Sequence, residues 1–232
     1  SDQLFTYFLA GILEQGSDYF AEDGRHFNFN SPEAIATIQK LMDMAQTDGV
    51  VDPIIFNAES EWVGESFAQG HNGIGVLGSW YVGDAKIGYP DLTFDYVALP
   101  PFIGSEHKFA SVGGWGYVVS QSTTNPTMAW KLAAFLGADQ ANVFAFNSTS
   151  ATIPAMKAVA DDPKLVEAAP FMSAVLPILS AGQYQGNLTD PDQLAYEIVY
   201  PTILDAIQGN QTAEEAANSI HEAANAMVDA SN

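Results

Sequence analysis

The sequence predicts an α/β protein, because segments with strand character alternate with segments that carry helix signals. Strands are expected at residues 73–79, 94–99 and 112–119, with helices before the first and after the last. The chain has 232 residues, of which 47% are hydrophobic. A chain of this length and composition can bury a substantial core, as one large or two small domains.

The first two helices are predicted from apolar periodicity and from their end signals. Apolar residues recur at helical spacing over residues 4–13, and Gly16 ends the pattern. Ser31 suits an N-cap and Pro32 suits the first helical position, so the second helix begins there and ends before Gly49.

Three further helices carry equally local signals. Ser60 can cap a short helix, and Gly70 lies in the position just beyond its end. Asn125 begins another helix, with a proline directly after it. Thr212 and Glu215 have the spacing of a capping box, so the last helix runs from there toward the final residues.

Composition excludes several classes of function. The formal charge is -21, from 28 acidic and 7 basic residues, so the surface repels the phosphates of nucleic acid and of anionic membranes. Arg25 is the single arginine, which disfavours a phosphorylated ligand. Apolar stretches are too short to span a bilayer, so an integral membrane protein is not expected.

No metal or cofactor is expected. Cysteine is absent, which removes thiolate chemistry and disulfides. The histidines are scattered without metal-ligand spacing: His26, His71, His107 and His221. The run GIGVLG at 73–78 matches a dinucleotide-binding pattern, but that pattern requires a preceding strand and a following helix. Here a helix precedes the glycines, so we interpret them as allowing close backbone approach.

Two tryptophans lie beside glycines at predicted strand ends. Trp80 follows the glycine-rich segment, and Trp115 follows Gly113 and Gly114, whose amide groups would be accessible to a ligand. Indole faces stack on the apolar face of a pyranose, which suggests a carbohydrate-type ligand, whereas burial in the core is the alternative for each. Trp62 and Trp130 lie among apolar residues at helical spacing, and both are expected in the core.

Five segments follow one another in a distinctive order: SPEAIATIQKLMDMAQTDGVVDP (31–53), FAQGHNGIGVLGSW (67–80), YVALPP (96–101), GGWGYVVSQSTTNPTMAWKLAAFL (113–136) and TIPAMKAV (152–159). Each is weakly specific alone. Together and in this order the chain resembles the family 1 extracellular solute-binding proteins of ABC importers, the group that includes maltose-binding protein.

The resemblance implies a type II periplasmic-binding-protein fold, with most of the second lobe and part of the first. Residues 1–111 would form the second lobe's first segment, 112–155 a segment of the first lobe, and 156–232 the helical return of the second lobe. The family's N-terminal part has no counterpart here, so a fragment or split protein is expected, with the missing lobe on another chain or removed. A compact variant with a reduced first lobe stays open.

The implied function is the substrate-binding component of an ABC importer. A sugar or oligosaccharide would be held in the cleft between the lobes and delivered to the importer's membrane subunits, without enzymatic activity. The implied location is periplasmic or extracellular, with a lipid anchor on a preceding segment as one option.

The resemblance also implies ligand contacts. It places Trp80 and Trp115 at the cleft and suggests Tyr196 as another cleft aromatic. Near the N-terminus it makes Phe5 or Tyr7 a candidate. The last candidate contact is an acidic side chain in an early loop, Asp18, which could hold hydroxyls or simply be an exposed loop acid.

Two other classes of function stay open from the residues alone. A glycosidase would use two of the many carboxylates as acid and nucleophile, and spacing alone does not reveal such a pair. An interaction module derived from the binding-protein fold would use the apolar residues between 117 and 146 to dock another protein.

Overall fold

The computed structural model describes residues 2–51, 62–111, 114–186, 188 and 190–231. The chain divides into two compact units. Unit 1 comprises residues 1–60, 99–113 and 180–232, and unit 2 comprises residues 61–98 and 114–179. Each unit therefore draws on segments that are distant in the sequence.

Unit 1 is built mainly from helices that share one core. Its helical elements are α1 (Asp2–Glu14), α2 (Pro32–Gln46), a π-helical segment (Gln193–Val199), α10 (Tyr200–Ile207) and α11 (Ala213–Ala230). Apolar residues at helical spacing face inward, and Phe8, Ile12, Ile38, Ile203 and Ile220 are fully buried. The pattern that predicted the first two helices is thus the pattern that fills this core.

A two-stranded parallel sheet completes unit 1. Its strands are β1 (Phe109–Ser111) and β2 (Gly182–Tyr184), with Phe109 opposite Gly182 at the start of the register. The strand β1 also packs against α1. The small sheet ties the central segment of unit 1 to its C-terminal segment.

The predicted helix ends in unit 1 are confirmed. The Ser31 hydroxyl accepts a 3.2 Å hydrogen bond from the backbone N–H of Ala34. Thr212 and Glu215 form a complete capping box, in which each side chain accepts from the other residue's backbone N–H. Gly16 adopts a φ of 83°, the left-handed conformation that ends helices.

Unit 2 contains a series of shorter helices. They are α3 (Val63–Ala68), α4 (Tyr81–Gly88), α5 (Pro126–Gly137), α6 (Gln140–Ser150), α7 (Lys157–Ala160), α8 (Pro163–Ala168) and α9 (Met172–Val175), with a 3₁₀ helix (Leu176–Ala181) following α9. A small core forms around Leu165, Ala169 and Met172. Gly70 has a φ of 77°, and Asn125 caps α5, as predicted.

The three strands predicted at residues 73–79, 94–99 and 112–119 are not formed in the described residues. Residues 73–79, 94–99 and 114–119 have no regular strand structure, and residues 112 and 113 lie outside the described residues. A strand requires a neighbouring strand to pair its backbone groups. Within the described residues, β1 and β2 form the one strand pair that is longer than a single bridge. Both strands belong to unit 1.

The prediction that Trp62 and Trp130 lie in the core is wrong. Trp62 is 51% exposed and Trp130 is 62% exposed. In α5, which carries Trp130, no residue is buried, although the helix is rich in apolar residues. Helical spacing of apolar residues identifies a face that could be buried, but a neighbouring element must be present to bury it.

Candidate ligand-binding site

The glycine-rich segment before Trp80 is held by a side chain rather than by a strand. The hydroxyl of Tyr96 donates a hydrogen bond to the carbonyl oxygen of Leu77, three residues before Trp80. Burial raises the pKa of Tyr96 to about 12, so this hydroxyl keeps its proton at physiological pH. The side chain of Tyr96 therefore fixes the backbone that precedes Trp80.

Trp80 forms an exposed pair with Trp62. Their ring centroids are 6.0 Å apart and their planes differ by 13°, the geometry of offset-stacked aromatic rings. Trp80 is 41% exposed, so both indoles keep much of their surface open to solvent. Sequence analysis placed Trp80 correctly beside bare backbone but did not anticipate its partner.

A glycine lies under each of the two indoles. A Cβ atom at Gly64 would overlap the six-membered ring of Trp62, and one at Gly78 would overlap the five-membered ring of Trp80. The two rings therefore lie directly over glycine backbone. This close approach is the physical reason for glycine at both positions.

Tyr81 packs against both tryptophans of the pair. It is almost completely buried, and its hydroxyl donates a 2.6 Å hydrogen bond to the carbonyl oxygen of Gly64. Its ring meets Trp62 and Trp80 edge-on, at centroid distances of 5.9 and 6.4 Å. The aromatic cluster continues behind Tyr81 with Phe67 and Phe94.

The second predicted glycine–tryptophan site is only partly described. The Trp115 side chain is fully exposed, and Gly114 before it is exposed as well. Gly113, predicted to offer a backbone contact, lies outside the described residues. Trp115 and Gly114 belong to unit 2, as do Trp80 and Trp62.

The other predicted contacts belong to unit 1. Tyr196 is exposed on the π-helical segment. Tyr7 on α1 is half-buried, and its ring lies 5.1 Å from that of Phe102. Burial, and next the charge of Glu14, raise the pKa of Tyr7. Phe5 is 6% exposed and packs in the core of unit 1, which leaves Tyr7 as the more accessible of the two N-terminal aromatics.

A surface cavity adjoins Tyr7 within unit 1. It has a volume of about 350 Å³ and is lined by apolar groups together with two charged side chains, Lys40 and Asp48. Phe102 and the adjacent prolines 100 and 101 form another wall. Tyr7 is therefore accessible from a concave surface, the setting in which small ligands usually bind.

Asp18, the acidic residue of the early loop, forms a hydrogen bond within that loop. Asp18 is exposed, and its Oδ1 atom accepts a 3.0 Å hydrogen bond from the backbone N–H of Phe20. This is a local Asx-type turn. The carboxylate keeps further acceptor capacity, so the contact with a ligand hydroxyl stays a prediction.

Metal and membrane features can be stated for the described residues. Among them, no group of three histidine, aspartate or glutamate side chains is arranged to hold a metal ion. No helix in that part of the chain combines the length and apolar character needed to cross a bilayer.

Comparison with known families identifies the class of protein that this fold and site represent. The family model described as bacterial extracellular solute-binding protein matches residues 1–143. The match covers more than half of the chain, and the chain belongs to this family. No curated protein matches the sequence.

Solved structures show the same fold. A solute-binding protein of an ABC transporter from Thermotoga lettingae, bound with α-D-tagatose, superposes with a TM-score of 0.78 at 20% identity, over 96% of this chain and 56% of that chain. Maltose-bound T. maritima MalE3 gives a TM-score of 0.70 at 22% identity, over 94% and 56% of the two chains. An ABC substrate-binding protein from Listeria monocytogenes in complex with cycloalternan gives 0.72 at 17% identity, over 94% and 55%.

These similarities confirm the predicted fold class, a type II periplasmic-binding-protein fold, here mostly helical with a small parallel sheet. The chain spans about 56% of the length of the first of these proteins.

Sequence reasoning missed the exposure of Trp62 and its stacking on Trp80. The signal was present in the short helix that follows it, since the six residues of α3 offer little surface to cover an indole. A glycine two positions after Trp62 was a second signal, because it allows the indole to lie flat against the helix backbone.

Proposed function

We propose that this protein is the substrate-binding component of an ABC importer and that it binds a sugar or oligosaccharide. Membership of the extracellular solute-binding family carries the proposal. The sugars in the three similar structures, tagatose, maltose and cycloalternan, support a carbohydrate as the ligand class.

The exposed aromatic residues support the same ligand class. Trp80 and Trp115 present open indole surface next to bare glycine backbone. An indole face stacks on the C–H face of a pyranose, while peptide groups hydrogen-bond to hydroxyls. We propose Trp80, Trp115, Gly113, Gly114 and Tyr196 as ligand contacts, with Tyr7 and Asp18 as secondary candidates.

The net charge favours a neutral ligand. With 28 acidic and 7 basic residues, the protein repels anions, and a phosphorylated solute needs cationic groups to hold it. A neutral sugar does not meet this barrier.

Thermal denaturation with a panel of solutes tests the proposal. Glucose, maltose, maltotriose and tagatose are compared with glycerol 3-phosphate and glutamate at equal concentration. A ligand that binds only the folded state stabilises it by about 2.7 kcal/mol at a hundredfold excess over its Kd. At least one sugar should raise Tm, while the two anions should not. A rise with an anion alone would contradict the proposal.

We infer further that the protein binds its sugar without transforming it, since its family is defined by solute binding. Incubation with nitrophenyl α- and β-glucosides, followed by absorbance, tests this inference directly. Release of nitrophenol that persists through purification and disappears when an acidic pair is neutralised would favour a glycosidase instead.

The location and membrane partners are part of the same proposal. An extracellular solute-binding protein works outside the cytoplasmic membrane, in the periplasm or at the cell surface, and delivers its ligand to the membrane subunits of an importer. A lipid anchor is one way to keep it there. Fractionation of the source cells, with detergent-phase partitioning, tests both location and anchoring.

We also propose that residues 1–111 and 156–232 belong to the family's second lobe and residues 112–155 to its first. The exposed apolar residues of α5 support this assignment, because Met128, Trp130, Leu132 and Phe135 form a surface suited to packing against further structure. The missing part of the first lobe, in the same gene product or on another chain, would cover them.

Intact mass and N-terminal sequencing of the protein purified from its source test the lobe assignment. A mass well above 24.8 kDa, or a stably associated second chain, is expected. A mass equal to that of this chain, without a partner, would contradict the proposal of a missing lobe.

A further inference from the structure

We propose that Glu14 is a positioning residue for the cavity beside Tyr7: without lining that cavity, it fixes the position of Phe102, the aromatic wall in contact with Tyr7. Glu14 thereby determines how tightly a sugar is held there. The inference rests on the proposed function, in which Tyr7 is a secondary ligand contact. It adds a buried residue that touches no ligand.

The two aromatic walls of the cavity come from separate parts of the chain. Tyr7 belongs to α1, whereas Phe102 lies in the segment that precedes β1. Their ring centroids are 5.1 Å apart and their planes differ by 50°. The shape of the cavity at this point therefore depends on where the backbone of Phe102 lies relative to α1.

Two prolines make that backbone dependent on a side chain. Pro100 and Pro101 line the cavity directly before Phe102, and proline carries no backbone N–H with which it could be held. The first N–H groups after them belong to Phe102 and Ile103. Both donate to Oε2 of Glu14, at 2.7 and 3.0 Å. One carboxylate oxygen thus holds the backbone at the point where the prolines end.

The surroundings of Glu14 fix the carboxylate itself. Its side chain is 1% exposed, and Nδ1 of His107 lies 3.4 Å from its other oxygen, Oε1. Gly104 lies against the end of α1, because a Cβ at that position would be 2.1 Å from the carbonyl oxygen of Glu14. A carboxylate enclosed in this way keeps its two N–H donors at a defined place, since water does not compete for them.

The charge of Glu14 also reaches the other wall. Burial, and next the charge of Glu14, raise the pKa of Tyr7. The carboxylate is therefore close to both aromatic walls, through hydrogen bonds to the backbone of Phe102 and through its field at Tyr7. A change in the length of the side chain at position 14 should consequently alter the cavity.

Isotope labelling makes the N–H of Phe102 directly observable. The sequence contains two Pro–Phe pairs, Pro101–Phe102 and Pro170–Phe171. The full chain labelled with ¹³C-carbonyl proline and ¹⁵N-phenylalanine therefore gives two signals in an HNCO spectrum, which Phe171→Leu assigns. Phe171 belongs to unit 2 and is the internal reference. Glucose, maltose, maltotriose and tagatose are titrated in turn, and at least one of them should move the Phe102 signal with a saturable Kd.

Variants of Glu14 separate the length of the side chain from its charge. Glu14→Gln keeps the length and an acceptor oxygen for both N–H groups, so the sugar affinity should stay within about twofold of the wild type. Glu14→Asp keeps the charge but is shorter by one C–C bond, about 1.5 Å. Its affinity should fall about five- to tenfold, and the amide proton of Phe102 should move upfield as the hydrogen bond lengthens. Glu14→Ala should lose at least as much affinity.

Asn225→Ala is the matched control for a lost tether in unit 1. The Asn225 side chain accepts a 2.8 Å hydrogen bond from the backbone N–H of Phe27 and donates a 3.1 Å hydrogen bond to the carbonyl oxygen of Phe27. Asn225 does not line the cavity. Its replacement should leave the Phe102 signal and the sugar affinity unchanged. All titrations are run at a temperature at which each variant shows the signals of one folded species.

The possible results separate this inference from the proposed function. If Glu14→Asp binds like the wild type, or if Glu14→Gln loses as much affinity as Glu14→Asp, the positioning role is wrong and sugar binding stands. The same holds if Asn225→Ala weakens binding equally, or if sugars raise Tm without moving the Phe102 signal. If no sugar raises Tm or moves either signal, the proposed function and the positioning role both fail.

Discussion

The hydroxyl of Tyr81 donates a 2.6 Å hydrogen bond to the carbonyl oxygen of Gly64, from the first residue of α4 to the second residue of α3. The two helices are joined at their starts, where Trp62 and Trp80 immediately precede them. One buried hydroxyl therefore sets the relative position of two exposed indoles.

Tyr81→Phe should lower the free energy of unfolding by about 1–2 kcal/mol, because it leaves a buried carbonyl oxygen without its donor. Urea denaturation followed by tryptophan fluorescence measures the change. Tyr117→Phe, at an exposed tyrosine, is the matched control and should lie within about 0.5 kcal/mol of the wild type. Equal stability of the two variants would show that the hydrogen bond contributes nothing.

A second prediction concerns a buried carboxylate in unit 1. Oε2 of Glu14, at the end of α1, accepts hydrogen bonds from the backbone N–H groups of Phe102 and Ile103, at 2.7 and 3.0 Å. Glu14→Ala leaves both donors without a partner and should cost about 2–3 kcal/mol. Chemical denaturation compares it with Glu22→Ala, whose side chain is exposed. A cost no greater than that of Glu22→Ala would mean that water replaces the carboxylate.

The third prediction is a pH dependence that centres on His26. Its Nδ1 lies 2.5 Å from Oδ2 of Asp23, and its Nε2 lies 3.1 Å from Oδ1 of Asp229 near the end of α11. Hydrogen bonds to Asp23, and next to Asp229, raise the pKa of His26. The cation of Arg25 is also close, since its Nη2 donates to the carbonyl oxygen of Val228.

The raised pKa fixes the sign of the effect. Protonated His26 should stabilise the folded state fully below its unfolded pKa, about 6.5, and this contribution should disappear as pH rises through the higher folded value. The Tm difference between the wild type and His26→Gln should therefore be largest near pH 5.5 and shrink above pH 8. Asp229→Asn, which keeps Asp23, should give an intermediate difference. A difference that grows with pH would reverse the assignment.

Asp23, in the same site, should make the stability of the fold depend on pH in the acidic range as well. Hydrogen bonds from the His26 side chain, and then from the backbone of Arg25 and His26, lower the pKa of Asp23. A depressed folded pKa stabilises the protein above the unfolded value of about 3.9 and ceases to do so as pH falls through the folded value. Asp23→Asn should accordingly flatten the loss of Tm on acidification, measured in scans from pH 5 down to pH 2. An unchanged acid profile would contradict the role of Asp23.

The last prediction compares two helix caps. The side chains of Ser31 and Asn125 each accept one backbone hydrogen bond, at the starts of α2 and α5. Ser31→Ala should cost about 1 kcal/mol, because α2 contributes buried residues to the core of unit 1. Asn125→Ala should affect global unfolding less, because α5 has no buried residue. Equilibrium denaturation measures the free energy of unfolding of both variants. An equal or larger cost for Asn125→Ala would be inconsistent with the exposed state of α5.

Local signals in the sequence were sufficient for several helix ends, whereas the fold class was predicted from the resemblance to a family, and the predicted cap Ser60 lies outside the described residues. Ser31, Gly70, Asn125 and the pair Thr212 and Glu215 act through hydrogen bonds or backbone conformations within a few residues, so no tertiary information is needed to recognise them. The order of five short motifs predicted the family, and the family model confirms it, while the solved structures confirm the fold.

Tertiary structure alone decided which apolar residues are covered. The sequence shows that Trp62, Trp80 and Trp130 are apolar and that residues 73–79 have strand character, but burial and strand pairing depend on a second element. Trp62 is exposed because α3 is short and its glycine brings the indole onto the helix surface, and residues 73–79 form no strand because none pairs with them in the described chain. A propensity is a property of one segment, whereas burial and pairing are properties of two.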